Sequence, residues 1–182
     1  MTDVLETIFH INTLTSTLRL ATPIALAAMA GTLSERVGVI NLALEAKLLA
    51  GAFAGAYTSY VTGSPWLGVA AALLVGMFIG LLLGLFTIRW RANHVVAGIC
   101  LNIFVLRMTT LLVRVIWFSR GTSPTVADLP NWKIPGLQSV PFIGPLLSGH
   151  SPLVYVMLLA GPLLWLWLFR TPGGLRARMV GE

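Results

Sequence analysis

From Trp66 to Ile88 the chain runs for 23 residues without a charged side chain. As an α-helix at about 1.5 Å per residue, such a stretch crosses the roughly 30 Å hydrocarbon core of a bilayer. The composition agrees with a membrane solvent throughout. Of 182 residues, 57% are hydrophobic and 10% charged, too little charge to cover a water-soluble surface. The excess of 12 Lys and Arg over 6 Asp and Glu gives +6. These cations stand singly around apolar runs rather than in a patch, which argues for membrane topology and against nucleic acid.

Arg89 and Arg91 follow the uncharged stretch and place its end on the cytoplasmic side, with Trp90 between them as an interfacial anchor. Gly76, Gly80 and Gly84 form two overlapping GxxxG steps on one face, a pattern that favours close helix contact. Four other segments complete an all-α, multi-pass expectation of about five spans: residues 18–33, 39–61, 66–88, 95–118 and 153–169. Residues 1–17 read as an amphipathic lead-in, and Pro23 is expected in the first turns of the first span, where a missing N–H is tolerated. Residues 119–151, rich in Pro and Gly, read as an outer loop with short helical or re-entrant pieces. Pro162 is expected to kink the last span, and Arg170, Arg176 and Arg178 gather after it. Two crossings separate Arg89 from Arg170, so both basic groups fall on the cytoplasmic side. A full crossing at 39–61 puts Met1 outside, and a re-entrant segment there puts it inside.

The polar residues inside these segments are the functional signal, because a charge at membrane depth costs a few kcal/mol or more unless paired (~2.5–3.5 on insertion scales). Asn41, Glu45 and Lys47 interrupt the second segment. Read as one helix, it puts Asn41 and Glu45 on a shared face with Lys47 pointing away. Its small residues, Gly51 and Gly55 among them, invite a neighbouring helix. In the fourth segment Asn93, Cys100, Arg107 and Arg114 recur every seven residues as a stripe, and Arg107 lies roughly 18 Å in from Val95. Glu45 is the acid within the expected spans, so a Glu45–Arg107 pair is the first expectation, with Lys47, backbone carbonyls or another part of the protein as alternatives. Cys100 reads as a small buried apolar residue; standing alone, it excludes an internal disulfide and a CxxC metal site. His94, next to the cytoplasmic interface, reads as a surface residue, and His10 and His150 have no partners at metal spacing, so no metal is expected. No catalytic constellation is present, and without a GxxxxGK[ST] loop the chain has no ATPase of its own.

Four stretches in order carry a resemblance. They are SERVGVINLALEAKLLAGAFAGA from Ser34; RANHVVAGICLNIF, with Asn93, Val95, Gly98, Leu101 and Asn102; IPGLQSVPFIGPLLSGHSPLVYV; and FRTPGGLRARMVGE. Together they resemble the permease subunits of bacterial ABC importers for simple sugars and nucleosides, related to the branched-chain amino acid permeases, with the nucleoside type most similar over 134–156. The resemblance implies a multi-pass protein of the bacterial plasma membrane that moves solute by alternating access. Implied partners are cytoplasmic ABC ATPase subunits using ATP and Mg, a second permease subunit, an extracytoplasmic substrate-binding lipoprotein and membrane lipid.

It also implies a cytoplasmic coupling segment over 170–182, with Gly173, Gly174, Leu175, Arg176, Arg178, Gly181 and Glu182 toward the ATPase. Asn41, Glu45 and Asn102 become candidates for the solute path. Each has a plainer reading: Asn41 and Glu45 as hydrogen-bonding glue between helices, Asn102 as structural, and Arg176 and Arg178 as topology determinants. The family pattern has Gly-Leu-Glu-Gly where this chain has Ala43-Leu44-Glu45-Ala46, an apolar residue at Lys47, and a small or apolar one at Arg107. The chain ends at Glu182 where the family continues, so a fragment, a truncated reading frame or one piece of a split permease is expected. Rival classes are an ion-coupled secondary transporter or channel, and a membrane scaffold needing only the glycine faces.

Overall fold

The structure is a computed structural model and describes residues 11–119, 121–132 and 149–181. These residues form six helices: α1 (Ile11–Arg36), α2 (Leu44–Thr62), α3 (Pro65–Gly84, continued by a π-helical turn Leu85–Arg89), α4 (His94–Trp117), α5 (Pro152–Arg170) and α6 (Pro172–Gly181). Among the described residues there is no strand, only an isolated antiparallel bridge between Trp132 and His150. Three helices, not the expected five, are long and apolar enough to cross a membrane by length and composition: Pro65–Arg89, His94–Trp117 and Pro152–Arg170. The other two expected spans are diluted by polar side chains. Arg19 and several threonines lie within α1, and α2 begins only at Leu44 and holds Glu45, Lys47 and Ser59.

Two further boundaries are corrected. Residues 11–17 are not a separate lead-in, because α1 runs through them without a break. Pro23 therefore lies in the helix interior rather than in its first turns, where it cannot donate the helical hydrogen bond to the carbonyl one turn earlier.

The chain divides into two compact units. One runs from Gly31 to Asp128 and includes the chain from Val180 onward. Its turns follow from local chemistry. Gly63 takes the left-handed conformation at φ 67° that closes α2, and Pro65 opens α3, where its lost N–H had no helical partner. Asn93 caps α4, its Oδ1 accepting from the backbone N–H of Val95 at 2.9 Å and Val96 at 3.5 Å. The core consists mainly of small and branched residues: Ala43, Ala46, Ala50, Ile79, Leu83, Ala97, Leu101 and Val105. Small side chains permit close backbones. A Cβ built on Gly68 would lie 2.7 Å from the Gly55 carbonyl oxygen, and one on Gly51 would lie 3.5 Å from that of Ala72. The α2–α3 contact therefore rests on Gly51, Gly55 and Gly68.

The GxxxG face of α3 is not in that contact. A Cβ at Gly76 or Gly84 would meet nothing within 4 Å, and one at Gly80 would meet only the end of Lys47, 3.7 Å from Cε. Helical geometry explains this: the row Gly68, Ala72, Gly76, Gly80, Gly84 turns by about 40° at each step of four residues, so after Ala72 the contact with α2 passes to Val75, Ile79 and Leu83 and the glycines turn aside.

The second unit joins the chain up to Ala30 with Leu129–Met179. Arg19 donates to the Gly149 carbonyl at 3.3 Å and to Asn131 Oδ1 at 3.5 Å. Tyr155 donates to the Trp132 carbonyl at 3.1 Å, beside the Trp132–His150 bridge. Helix α5 continues through Pro162 and stops at Thr171, whose extended backbone (φ −114°, ψ 151°) breaks it from α6. The Thr171 hydroxyl then caps α6, accepting from the Gly174 N–H at 3.2 Å.

Candidate functional site

The second predicted segment is not one helix. Residues 37–43 form turns and irregular backbone between α1 and α2, so Asn41 lies before the helix that carries Glu45 and Lys47. The shared helical face expected for Asn41 and Glu45 does not exist, and Lys47 does not point away. Its Nζ donates to Asn41 Oδ1 at 3.1 Å, while Asn41 Nδ2 donates to Ser34 Oγ at 3.3 Å. The break in the backbone produces both results, since it frees Asn41 to fold back over the first turn of α2. Lys47 is half-buried, and Gly80, lacking a side chain, leaves room for its stem.

The start of α2 poses a local problem that a second helix solves. The residue at the N-cap position is Ala43, which has no side-chain acceptor for the free N–H groups of the first turn. Asn102 of α4 supplies one. Its Oδ1 accepts from the Ala46 N–H at 3.0 Å, and its Nδ2 donates to the Leu42 carbonyl at 2.9 Å and to Glu45 Oε2 at 3.5 Å. Gly98, one helical turn earlier, makes the approach possible, because a Cβ there would lie 2.8 Å from Leu42 Cβ and 3.3 Å from the Ala43 nitrogen. Gly98 and Asn102 therefore dock the broken stretch onto α4, a role hidden by their separation in sequence from Leu42–Ala46. Glu45 is exposed and sits in the first turn of α2, where the helix dipole favours a carboxylate.

Glu45 and Arg107 form no ion pair. Arg107 is exposed on the side of α4 away from buried Ala97, Leu101 and Val105. Asn102, which faces Glu45, is rotated by about 140° from it at 100° per residue. Asn93, Cys100, Arg107 and Arg114 are all exposed, so Cys100 is not the buried residue expected. The buried face of α4 is set by small Ala97 and Gly98, leaving the stripe opposite.

Two hydrogen-bonded pairs, Asn41 with Lys47 and Glu45 with Asn102, thus make up a polar junction around the start of α2, and Arg107 joins neither. In the other unit, Gly173 and Gly174 are packing residues. A Cβ on Gly173 would lie 3.5 Å from the Trp167 ring, and one on Gly174 would collide with the Trp167 and Leu168 carbonyls. Arg178 is half-buried with its guanidinium carbon 5.1 Å from the Phe169 ring centre, whereas Leu175 and Arg176 are exposed. Gly181 approaches the Arg36 carbonyl within the first unit, and Glu182 lies outside the described residues.

A groove that sequence reasoning missed lies between α2 and α4. It has a volume of about 240 Å³ and is lined by Phe53, Ala56, Thr109, Thr110 and Trp117, with Ser123 at its edge. The signal available was the aromatic spacing in α2: the rings of Phe53, Tyr57 and Tyr60 all lie within 6.4 Å of the Trp117 ring, centre to centre.

Residues 13–182 match the family model described as the permease component of the branched-chain amino acid transport system. The chain belongs to that permease family. It is 35% identical over 176 residues to the guanosine ABC transporter permease protein NupQ of Bacillus subtilis, covering 92% of this chain and 54% of that one. It is 30% identical over 169 residues to the nucleoside ABC transporter permease protein NupC of Lactococcus lactis, covering 89% and 53%. It is also 30% identical over 179 residues to a putative glucose ABC transporter permease protein of Haloferax volcanii, covering 96% and 53%. The chain therefore spans about half the length of these relatives. No solved structure matches it. Like the rest of the permease family, it is an integral, multi-pass protein of the plasma membrane.

Proposed function

We propose that this chain is part of the transmembrane subunit of an ATP-driven importer that moves nucleosides by alternating access. The observation that carries the reading is the likeness, over about nine-tenths of the chain, to two permeases whose names specify guanosine and nucleosides. The likeness to the putative glucose permease favours a simple sugar as the second reading. Energy comes from partner ATPase subunits that bind ATP and Mg, since the chain carries no phosphate-binding loop. A second permease subunit completes the path, and an extracytoplasmic binding protein delivers the solute. The exposed surface of α6 with Leu175 and Arg176 is the part offered to the ATPase, with Gly173, Gly174 and Arg178 holding that helix against α5.

At the polar junction, Asn41 and Asn102 are engaged by Lys47, Ser34 and the first turn of α2. Glu45 retains a carboxylate oxygen able to accept from a ribose hydroxyl. Transport is tested with the complete permease, its ATPase and its binding protein in membrane vesicles, using radiolabelled guanosine and glucose. The wild type is expected to take up guanosine only with ATP, and Glu45→Ala is expected to abolish uptake at unchanged membrane abundance. Uptake driven by an ion gradient without the ATPase would replace this reading with a secondary transporter, and full uptake by Glu45→Ala would remove Glu45 from the path.

A further inference from the structure

The α2–α4 groove begins at Leu49 and Leu106, one helical turn beyond Glu45 and Asn102 of the polar junction, and has a different chemistry. Its volume of about 240 Å³ is below the roughly 300–1,000 Å³ of sites that enclose a whole drug-sized ligand, which suits a single ring system with its substituent left outside. One wall is aromatic: the Phe53 and Trp117 rings are 5.8 Å apart at 58°, and Tyr57 stacks on Phe53 with an interplanar angle of 6°. Polar groups stand beside this wall. Thr109 and Thr110 donate their hydroxyl protons to the Val105 and Leu106 carbonyls at 2.6 and 2.7 Å, which leaves oxygen lone pairs as acceptors. The Trp117 indole N–H is buried and has no acceptor among the described residues, although buried indole donors ordinarily find one.

We infer that this groove seats the planar base of a nucleoside, by ring contact with Phe53 and Trp117 and by polar contact with the threonine hydroxyls. This rests on the nucleoside reading above. A sugar packs C–H groups on an aromatic ring whereas a base stacks its π face, so competition by the free base and by the free sugar separates the two solute classes that the relatives suggest. Base–aromatic stacking tolerates different bases, so the groove recognises nucleosides as a class rather than one base.

The test uses the complete transporter in vesicles, with radiolabelled guanosine and uridine as probes. Phe53→Ala and Trp117→Ala are expected to raise KM for both nucleosides about fivefold or more, the scale of losing one stacked base, while the maximal rate is largely kept. Ala52→Phe, which fills the groove from an exposed position, is expected to do the same without removing an aromatic ring. Trp117→Phe, which keeps a ring, is expected to fall between wild type and Trp117→Ala. Free uracil should compete with uridine uptake, and free ribose should not. A wild type that carries no nucleoside overturns both this inference and the functional reading. Nucleoside uptake with unchanged KM in Ala52→Phe and Trp117→Phe, at normal membrane abundance, overturns the groove alone.

Discussion

Asn102→Leu is expected to destabilise the chain by about 2–4 kcal/mol, because two backbone groups at the start of α2 lose their partner at once. Leucine has nearly the same size, so the loss is polar rather than a cavity. The Ala46 N–H and the Leu42 carbonyl, now bonded to Asn102 at 3.0 and 2.9 Å, would be left unpaired against α4. Ala43 cannot replace the lost cap, having no side-chain acceptor. The measurement is thermal unfolding of the detergent-purified chain, with Cys100→Val as a control on the exposed face of the same helix. An Asn102→Leu melting curve that overlays the control would show that the α2–α4 dock does not depend on this side chain.

Gly68→Ala is the second large effect, because its added methyl would lie 2.7 Å from the Gly55 carbonyl oxygen, an atom that moves only with the α2 backbone. Separating α2 from α3 costs on the order of 1–3 kcal/mol and loosens a core of small residues. Gly76→Ala and Gly84→Ala meet no atom within 4 Å, so they should be neutral or raise helix stability by up to about 1 kcal/mol each. Unfolding of the three variants side by side gives the answer. Gly76→Ala as damaging as Gly68→Ala would mean that α2 crosses α3 along the glycine repeat instead.

These two expectations mark what one-dimensional reading reaches. GxxxG spacing identifies a helix face free of side chains, yet whether another helix lies against it depends on where the helices cross. Gly68 stands outside the repeat and takes the closest contact, while Gly76 and Gly84 are left open. Helical periodicity also misplaced Asn41. It assumes an unbroken helix, and nothing in Val39–Ala43 signals a break as clearly as proline would. The Glu45–Arg107 pair failed for a related reason: opposite charges in separate segments say nothing about which faces of their helices meet.

By itself the sequence determined the solvent, the helical class and the family, since apolar run length, scattered arginines and ordered motifs are properties of the chain regardless of how it packs. Only the tertiary structure decided how the polar residues are used. Hydrogen bonds join groups that are neighbours in space: Asn102 caps a helix that begins 58 residues before it, and Lys47 turns back to Asn41. The α2–α4 groove is likewise a product of packing, because its walls come from two helices whose aromatic residues meet only once the chain has folded.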